Sequence, residues 1–138
     1  MYQEISDAEW EVMRIVWTLQ EAYTSDILAA LKDKKSWSQS TIKTLIRRLI
    51  TKGLLSSKKD GRKFIYSPLV TETQMINQSS EKLLAKMCDM HKGGAILKLL
   101  QDYPISKSDL IKIEKEVQSK LKTAPDAVAC NCIDKKMC

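Results

Sequence analysis

The chain opens on an apolar pattern of helical period. Ala8, Val12, Ile15, Val16 and Leu19 recur at helical spacing, and Trp10, Met13 and Trp17 widen the stripe, which predicts a helix with one buried face. Ser6 followed three residues later by Glu9 reads as a capping box, with Ile5 before it as a hydrophobic staple, so the helix should begin near Asp7. A second helix of about three turns is capped by Thr24 or Ser25, turns Ile27, Leu28 and Leu31 inward and ends in the charged stretch at 33–35. A third runs from a cap at Ser38 or Ser40 to a left-handed stop at Gly53, with Ile42, Leu45, Ile46, Leu49 and Ile50 as its buried face. Two short strand candidates follow, Leu54 to Lys58 and Lys63 to Ser67. They are joined by Lys59-Asp60-Gly61-Arg62, in which Asp-Gly signals a hairpin turn.

Past Pro68 the period is helical again. Thr71 caps a segment with Ile76, Leu83, Met87 and Met90 on one face, expected to stop near Gly93-Gly94. A short helix with Ile96, Leu97, Leu99 and Leu100 ends before Pro104, and Ser106 caps a last one bearing Leu110, Ile113, Val117 and Leu121. Helices this short cannot bury so many apolar side chains within one subunit, and unpartnered apolar patches mark association surfaces, so this region is expected to form a homodimer. The expected fold class is mainly α. A winged helix-turn-helix DNA-binding domain (residues 1–70) is followed by a helical dimerisation region (71–122) and a flexible Cys-rich tail (123–138).

Charge sharpens this picture. The net charge is +6, but residues 1–31 hold one base and six acids, net −5, while residues 32–63 hold eleven Lys or Arg and two acids, net +9. A basic block in an otherwise balanced chain is the footprint of a polyanion-binding surface, most often nucleic acid. It coincides with the third helix, whose polar face carries Ser40, Lys43, Thr44, Arg47, Arg48 and Thr51, and with the hairpin. A solvated basic face is the bland reading of either element alone; three helices followed by a cationic hairpin have the order of a winged helix-turn-helix. The candidate DNA contacts are Gln39, Ser40, Thr41, Lys43, Thr44, Arg47 and Arg48 on the helix, and Lys58, Lys59, Arg62 and Lys63 on the hairpin.

Catalysis has no support in the residues. There is one histidine and no GxSxG, HExxH or Gly-rich phosphate loop. Apolar runs fall short of the ~20 residues that span a bilayer, and the start lacks a basic and an apolar signal region, so a cytoplasmic protein with no membrane partner is expected. Cytosolic thiols are kept reduced, which turns the four cysteines toward metal or redox chemistry. Three of them, Cys130, Cys132 and Cys138, lie in the tail with Met137 beside the last. Residues i and i+2 of an extended chain project to one side, so Cys130 and Cys132 can wrap one ion while the chain turns back to deliver Met137 and Cys138. Thiolates and thioethers select Cu(I) and, for thiolates, Zn(II). The Lys86–His91 segment also concentrates soft donors, with Cys88 and His91 at i, i+3; it is expected to be core, since Met and Cys at helical spacing are usually packed, with a supporting metal ligand as the lesser alternative.

The opening ISDAEWEVMRIVW, the third helix STIKTLIRRLITKGLL and the hairpin KKDGRKFIYSPLV resemble the penicillinase-repressor family of winged-helix repressors. The tail ACNCIDKKMC resembles that of its copper-responsive branch, the CopY repressors of Gram-positive bacteria, whose tail pattern is CxCxxxxCxC. The resemblance implies a homodimer on an inverted-repeat double-stranded DNA operator ahead of copper-export genes. It implies Zn(II) in the repressing form, Cu(I) as the inducer that displaces it, and a copper chaperone as the donor. Cys130, Cys132 and Cys138 match three pattern cysteines and Met137 takes the place of the fourth; a neutral thioether is a poor zinc ligand and a good Cu(I) ligand. The alternatives are a repressor of the same fold inactivated by proteolysis, as in the antibiotic-resistance branch, and a cytosolic copper buffer or chaperone.

Overall fold

The computed structural model describes residues 2–32, 34 and 36–132. The chain forms two compact units that divide between Ser80 and Glu81.

The first unit begins with α1 (Asp7–Leu19), β1 (Ala22–Tyr23), α2 (Thr24–Lys32) and α3 (Gln39–Thr51), and continues into the hairpin of β2 (Leu55–Asp60) and β3 (Lys63–Pro68). The Ser6 hydroxyl accepts the Glu9 N–H at 3.1 Å and Glu9 Oε1 accepts the Ser6 N–H at 3.4 Å, so the expected capping box is formed. The buried face of α1 is Glu9, Val12, Met13, Val16 and Trp17. Leu19, expected inside, is 49% exposed because it lies at the edge of this face, which the helical period continues at position 20. The α3 side chains Ile42, Leu45, Ile46 and Leu49 are buried as the period requires, whereas Ile50 lies on the rim at 36% exposure. Gly53 adopts φ 77°; its N–H reaches the Ile50 carbonyl at 3.0 Å and the Leu54 N–H reaches the Leu49 carbonyl at 3.0 Å, the paired bonds of a Schellman stop.

Sheet order is β1-β3-β2, all antiparallel. The short β1 had no legible signal; Ala22 and Tyr23 pair with Tyr66 and Ile65 because β3 presents a free edge there. The hairpin turn is tighter than its sequence suggests. Asp60 pairs with Lys63, leaving Gly61-Arg62 as the two central residues, and only Gly61 has positive φ (63°), the pattern of a type II′ turn. Lys59 and Asp60 are therefore strand residues. The core joins α1, α2, α3 and the hairpin, and it extends past residue 70: Val70 and Met75 are buried, and Val70 O accepts the Trp17 indole N–H at 2.9 Å. This packing carries the first unit beyond the expected boundary, into α4 (Glu72–Ala85), which Thr71 caps by accepting the Gln74 N–H at 3.1 Å.

The second unit contains α5 (Asp89–Asp102) and α6 (Lys107–Leu121). Gly93-Gly94 was expected to end a helix, but both residues lie inside α5, and the break falls at residues 86–88. A glycine pair lowers helix propensity by only ~1 kcal/mol per residue, which hydrogen bonds from a long flanking segment offset. Ser106 accepts the Asp109 N–H at 3.1 Å and starts α6 where expected. Among the described residues of this unit, no side chain is buried; α5 and α6 present Ile96, Leu97, Leu99, Leu100, Ile113 and Val117 around an open apolar cleft of about 600 Å³. No helix among the described residues is long and apolar enough to cross a membrane.

Candidate nucleic-acid interface and thiol cluster

The cationic face follows from the packing of α3. With Ile42, Leu45, Ile46 and Leu49 turned into the core, the helical period forces Gln39, Ser40, Thr41, Lys43, Arg47 and Arg48 outward, and all six are exposed. Thr44 is half-buried and its hydroxyl donates to the Ser40 carbonyl at 2.9 Å, so it is turned partly back onto its own helix. Ser38 accepts the Thr41 N–H at 3.2 Å and sets the start of the helix. At the other pole Lys58, Lys59, Arg62 and Lys63 are exposed on the hairpin. Among the described residues, Lys43, Arg47, Arg48, Lys58, Lys59 and Arg62 form no ion pair, so their charge is available to an external anion.

Helix and hairpin face each other across a cleft of about 590 Å³ lined by Gln39 and Lys43 from α3, Arg62, Lys63 and Phe64 from the hairpin, and Tyr23, Thr24 and Ser25. The tertiary fold adds the last three and Phe64, which composition alone did not single out. Tyr23 braces the wing: its hydroxyl donates to Asp60 Oδ2 at 2.5 Å, and the Lys63 ammonium lies 5.8 Å from its ring centre. The Asp60 carboxylate, accepting that hydrogen bond, holds the Tyr23 phenol above its ordinary range. This bond ties down the one acid at the wing tip, which the four cations there outnumber.

A second site lies in the other unit. The sulfurs of Cys88, Cys130 and Cys132 all lie within 4.8 Å of one another. Cys88 was expected to be a core residue; it is instead half-buried at the N-cap of α5. The tail adds a cap of its own. Asn131 Oδ1 accepts the Asp89 N–H at 2.8 Å, and between the two tail cysteines the Cys132 N–H reaches Cys130 Sγ at 3.3 Å. The Met90 N–H donates to the Cys88 sulfur and holds its thiol below the ordinary cysteine range; burial opposes this, and bonds from the Asn131 backbone and the Cys132 thiol reinforce it. The Cys132 proton, given to the Cys88 sulfur, is held above the ordinary range. Cys130 is disulfide-bonded. Met137 and Cys138, the other expected tail ligands, lie outside the described residues. His91 is exposed, and its backbone N–H bonds the Cys88 carbonyl at 2.9 Å. Sequence spacing could not have paired Cys88 with positions more than forty residues away; the signal was the concentration of soft donors at Lys86–His91.

The sequence profile of the penicillinase repressor family matches residues 5–119. The chain is 39% identical over 133 residues to an uncharacterised 16.5 kDa protein of Latilactobacillus sakei, covering 96% of this chain and 91% of that one. It is 34% identical over 120 residues to the methicillin resistance regulatory protein MecI of Staphylococcus aureus strain N315, covering 85% and 95% respectively. A solved structure of the CopR repressor is 46% identical, covers 49% of this chain and 99% of its own, and superposes with a TM-score of 0.43. With its winged helix and its cationic face, and with a profile match over most of its length, the chain belongs to the penicillinase repressor family and is a transcriptional repressor with an N-terminal DNA-binding domain.

Proposed function

We propose that this repressor is copper-responsive: a cytoplasmic homodimer that holds an inverted-repeat operator ahead of copper-export genes and leaves it when Cu(I) occupies the cysteine tail. The observation that carries the reading is the close grouping of cysteine sulfurs at the tail, because sulfur donors with no hard ligand among them select a soft ion. The donor set fits Cu(I) once Cys130 is reduced, and it fits Zn(II) less well where Met137 stands in for a thiolate. Cys130, Cys132 and Cys138 would hold the ion, with Met137 as a soft accessory donor and a copper chaperone as the source. When bound, the ion supplies two or three sulfur bonds that clamp the tail.

On the DNA side, α3 enters the major groove and Arg47 and Arg48 reach base edges, while the wing cations lie against flanking phosphates. The apolar faces of α5 and α6 join two copies so that both recognition helices meet one duplex. Zn(II) belongs to the DNA-binding form in this scheme. Three thiolates carry the same net charge with one Zn(II) as with two Cu(I), so the switch is geometric: zinc requires a tetrahedron, whereas copper accepts two or three ligands. The ion shifts the dimer only by its differential affinity for the two states.

A gel shift on DNA from upstream of the chain's own coding region, with and without Cu(I) under reducing conditions, tests this reading. The parent protein is expected to bind and to be released by Cu(I). Replacing Cys130, Cys132 and Cys138 together by Ser is expected to preserve binding and abolish release. Release of the triple variant at the same Cu(I) concentration as the parent would place the sensor elsewhere.

A further inference from the structure

We propose that Cys88, at the start of α5, is a sulfur ligand of the same ion, closing with Cys130 and Cys132 a three-sulfur site that ties the tail to the junction between α4 and α5. This rests on the copper reading above. Three sulfurs spaced evenly around one ion at ~2.3 Å each lie ~4.0 Å apart. Sulfurs already within 4.8 Å of one another therefore reach one ion with inward shifts of about 0.5 Å each or less. The backbone supports the approach without any ion. Asn131, between the two tail cysteines, caps α5 through the Asp89 N–H at 2.8 Å, one residue beyond Cys88. The Cys132 N–H bond to Cys130 Sγ at 3.3 Å keeps the two tail sulfurs on one side.

Cys88 differs from the tail ligands in what it is attached to. It sits where one helix stops and the next begins, so a metal bond to it fixes the tail against a helix terminus and gives the tail a route to the segment carrying the apolar faces. Each thiol gives its proton to solvent as its sulfur–metal bond forms. Cys130 enters as a thiol only after its disulfide takes up two electrons and two protons, for which a phosphine in water or a small thiol is the reductant.

The test uses the full-length chain, reduced with a phosphine, desalted without air and given one equivalent of Cu(I) as its acetonitrile complex. A pulse of iodoacetamide followed by peptide mass spectrometry reads each cysteine separately. The expected result is that Cys88 alkylation slows at least about tenfold together with Cys130 and Cys132. Slowing at Cys130 and Cys132 while Cys88 keeps its metal-free rate overturns this inference and leaves the copper reading intact; unchanged rates at all three overturn both. Competition with bicinchoninate provides the second measurement. Cys88→Ser is expected to lower Cu(I) affinity by at least about tenfold, and Cys88→Met, which keeps a soft donor, to recover most of it. Equal affinity in the parent and in Cys88→Ser overturns the assignment.

Discussion

Glu9 is 3% exposed, and a carboxylate so placed must be paired. Lys52 Nζ donates to both of its oxygens, at 2.9 and 2.8 Å, and to the Glu4 carbonyl at 3.0 Å, so one lysine ties the start of α1 to the end of α3. Burial alone would raise the Glu9 pKa; the hydrogen bonds from Lys52 and Ser6 outweigh it and hold the carboxyl below its ordinary value. A folded-state pKa below the unfolded one stabilises the fold above the unfolded value of ~4.3 and loses that stabilisation as pH falls through the folded value. Lys52→Met is therefore expected to cost about 3 kcal/mol near neutral pH by stranding a buried carboxylate, and less at pH 3, below the unfolded value, where the unfolded carboxyl is protonated and the pairing with Lys52 contributes less. Urea denaturation at the two pH values checks this. An equal loss at both would assign the role of Lys52 to the packing of its stem. The Ser6–Glu9 box was legible because it is local, whereas the Lys52 partnership spans 43 residues and has no sequence signature.

At the level of elements, DNA recognition under the proposed function divides between α3 and the wing by what their side chains can reach. Arg47 and Arg48 project from a helix whose opposite face is locked into the core, so their positions are held to within a rotamer, as base readout demands. The wing cations stand on a two-stranded ribbon braced by Tyr23 and suit phosphates, which ask only for charge. Arg47→Ala or Arg48→Ala is expected to weaken specific operator binding by ~1–3 kcal/mol with little change at random sequence. Removing Lys58, Lys59, Arg62 and Lys63 together is expected to weaken both alike and to flatten the dependence of affinity on salt by about one unit of slope per lost phosphate contact. Fluorescence anisotropy at several salt concentrations separates the two effects; an unaltered salt slope in the quadruple variant would remove the wing from the interface. The same scale shows where periodicity misled. The apolar stripe through Ile76, Leu83, Met87 and Met90 suggests one helix, yet the chain breaks at residues 86–88 and the second helix starts on a cap borrowed from Asn131, far along the chain.

The whole molecule has two units with contrasting economies. The first buries a continuous core from Val12 to Met75, and a fragment of residues 1–80 is expected to be folded, monomeric and a weak DNA binder. In the second unit, no described side chain is buried, and Ile96 and Val117 remain about half exposed, the kind of apolar face that association would cover. Sedimentation of the full-length chain at micromolar concentration is expected to show a dimer, with recognition helices ~34 Å or a multiple of that apart on the operator. A monomer would rule out residues 71–122 as the dimerisation region. By itself the sequence determined the features that depend on neighbours in the chain: three helices and a hairpin in order, the caps at Ser6, Thr71 and Ser106, a start for α3 at Ser38 or Ser40, the Gly53 stop and the cationic face of α3. Side-chain period, capping and turn chemistry act within a few residues, so they are readable along a line. Tertiary structure alone decided the β1 edge, the burial of Glu9 against Lys52, the reach of the first core to Met75 and the meeting of Cys88 with Cys130 and Cys132. Each of these joins residues distant in the chain, and only the packing of the intervening elements selects such partners.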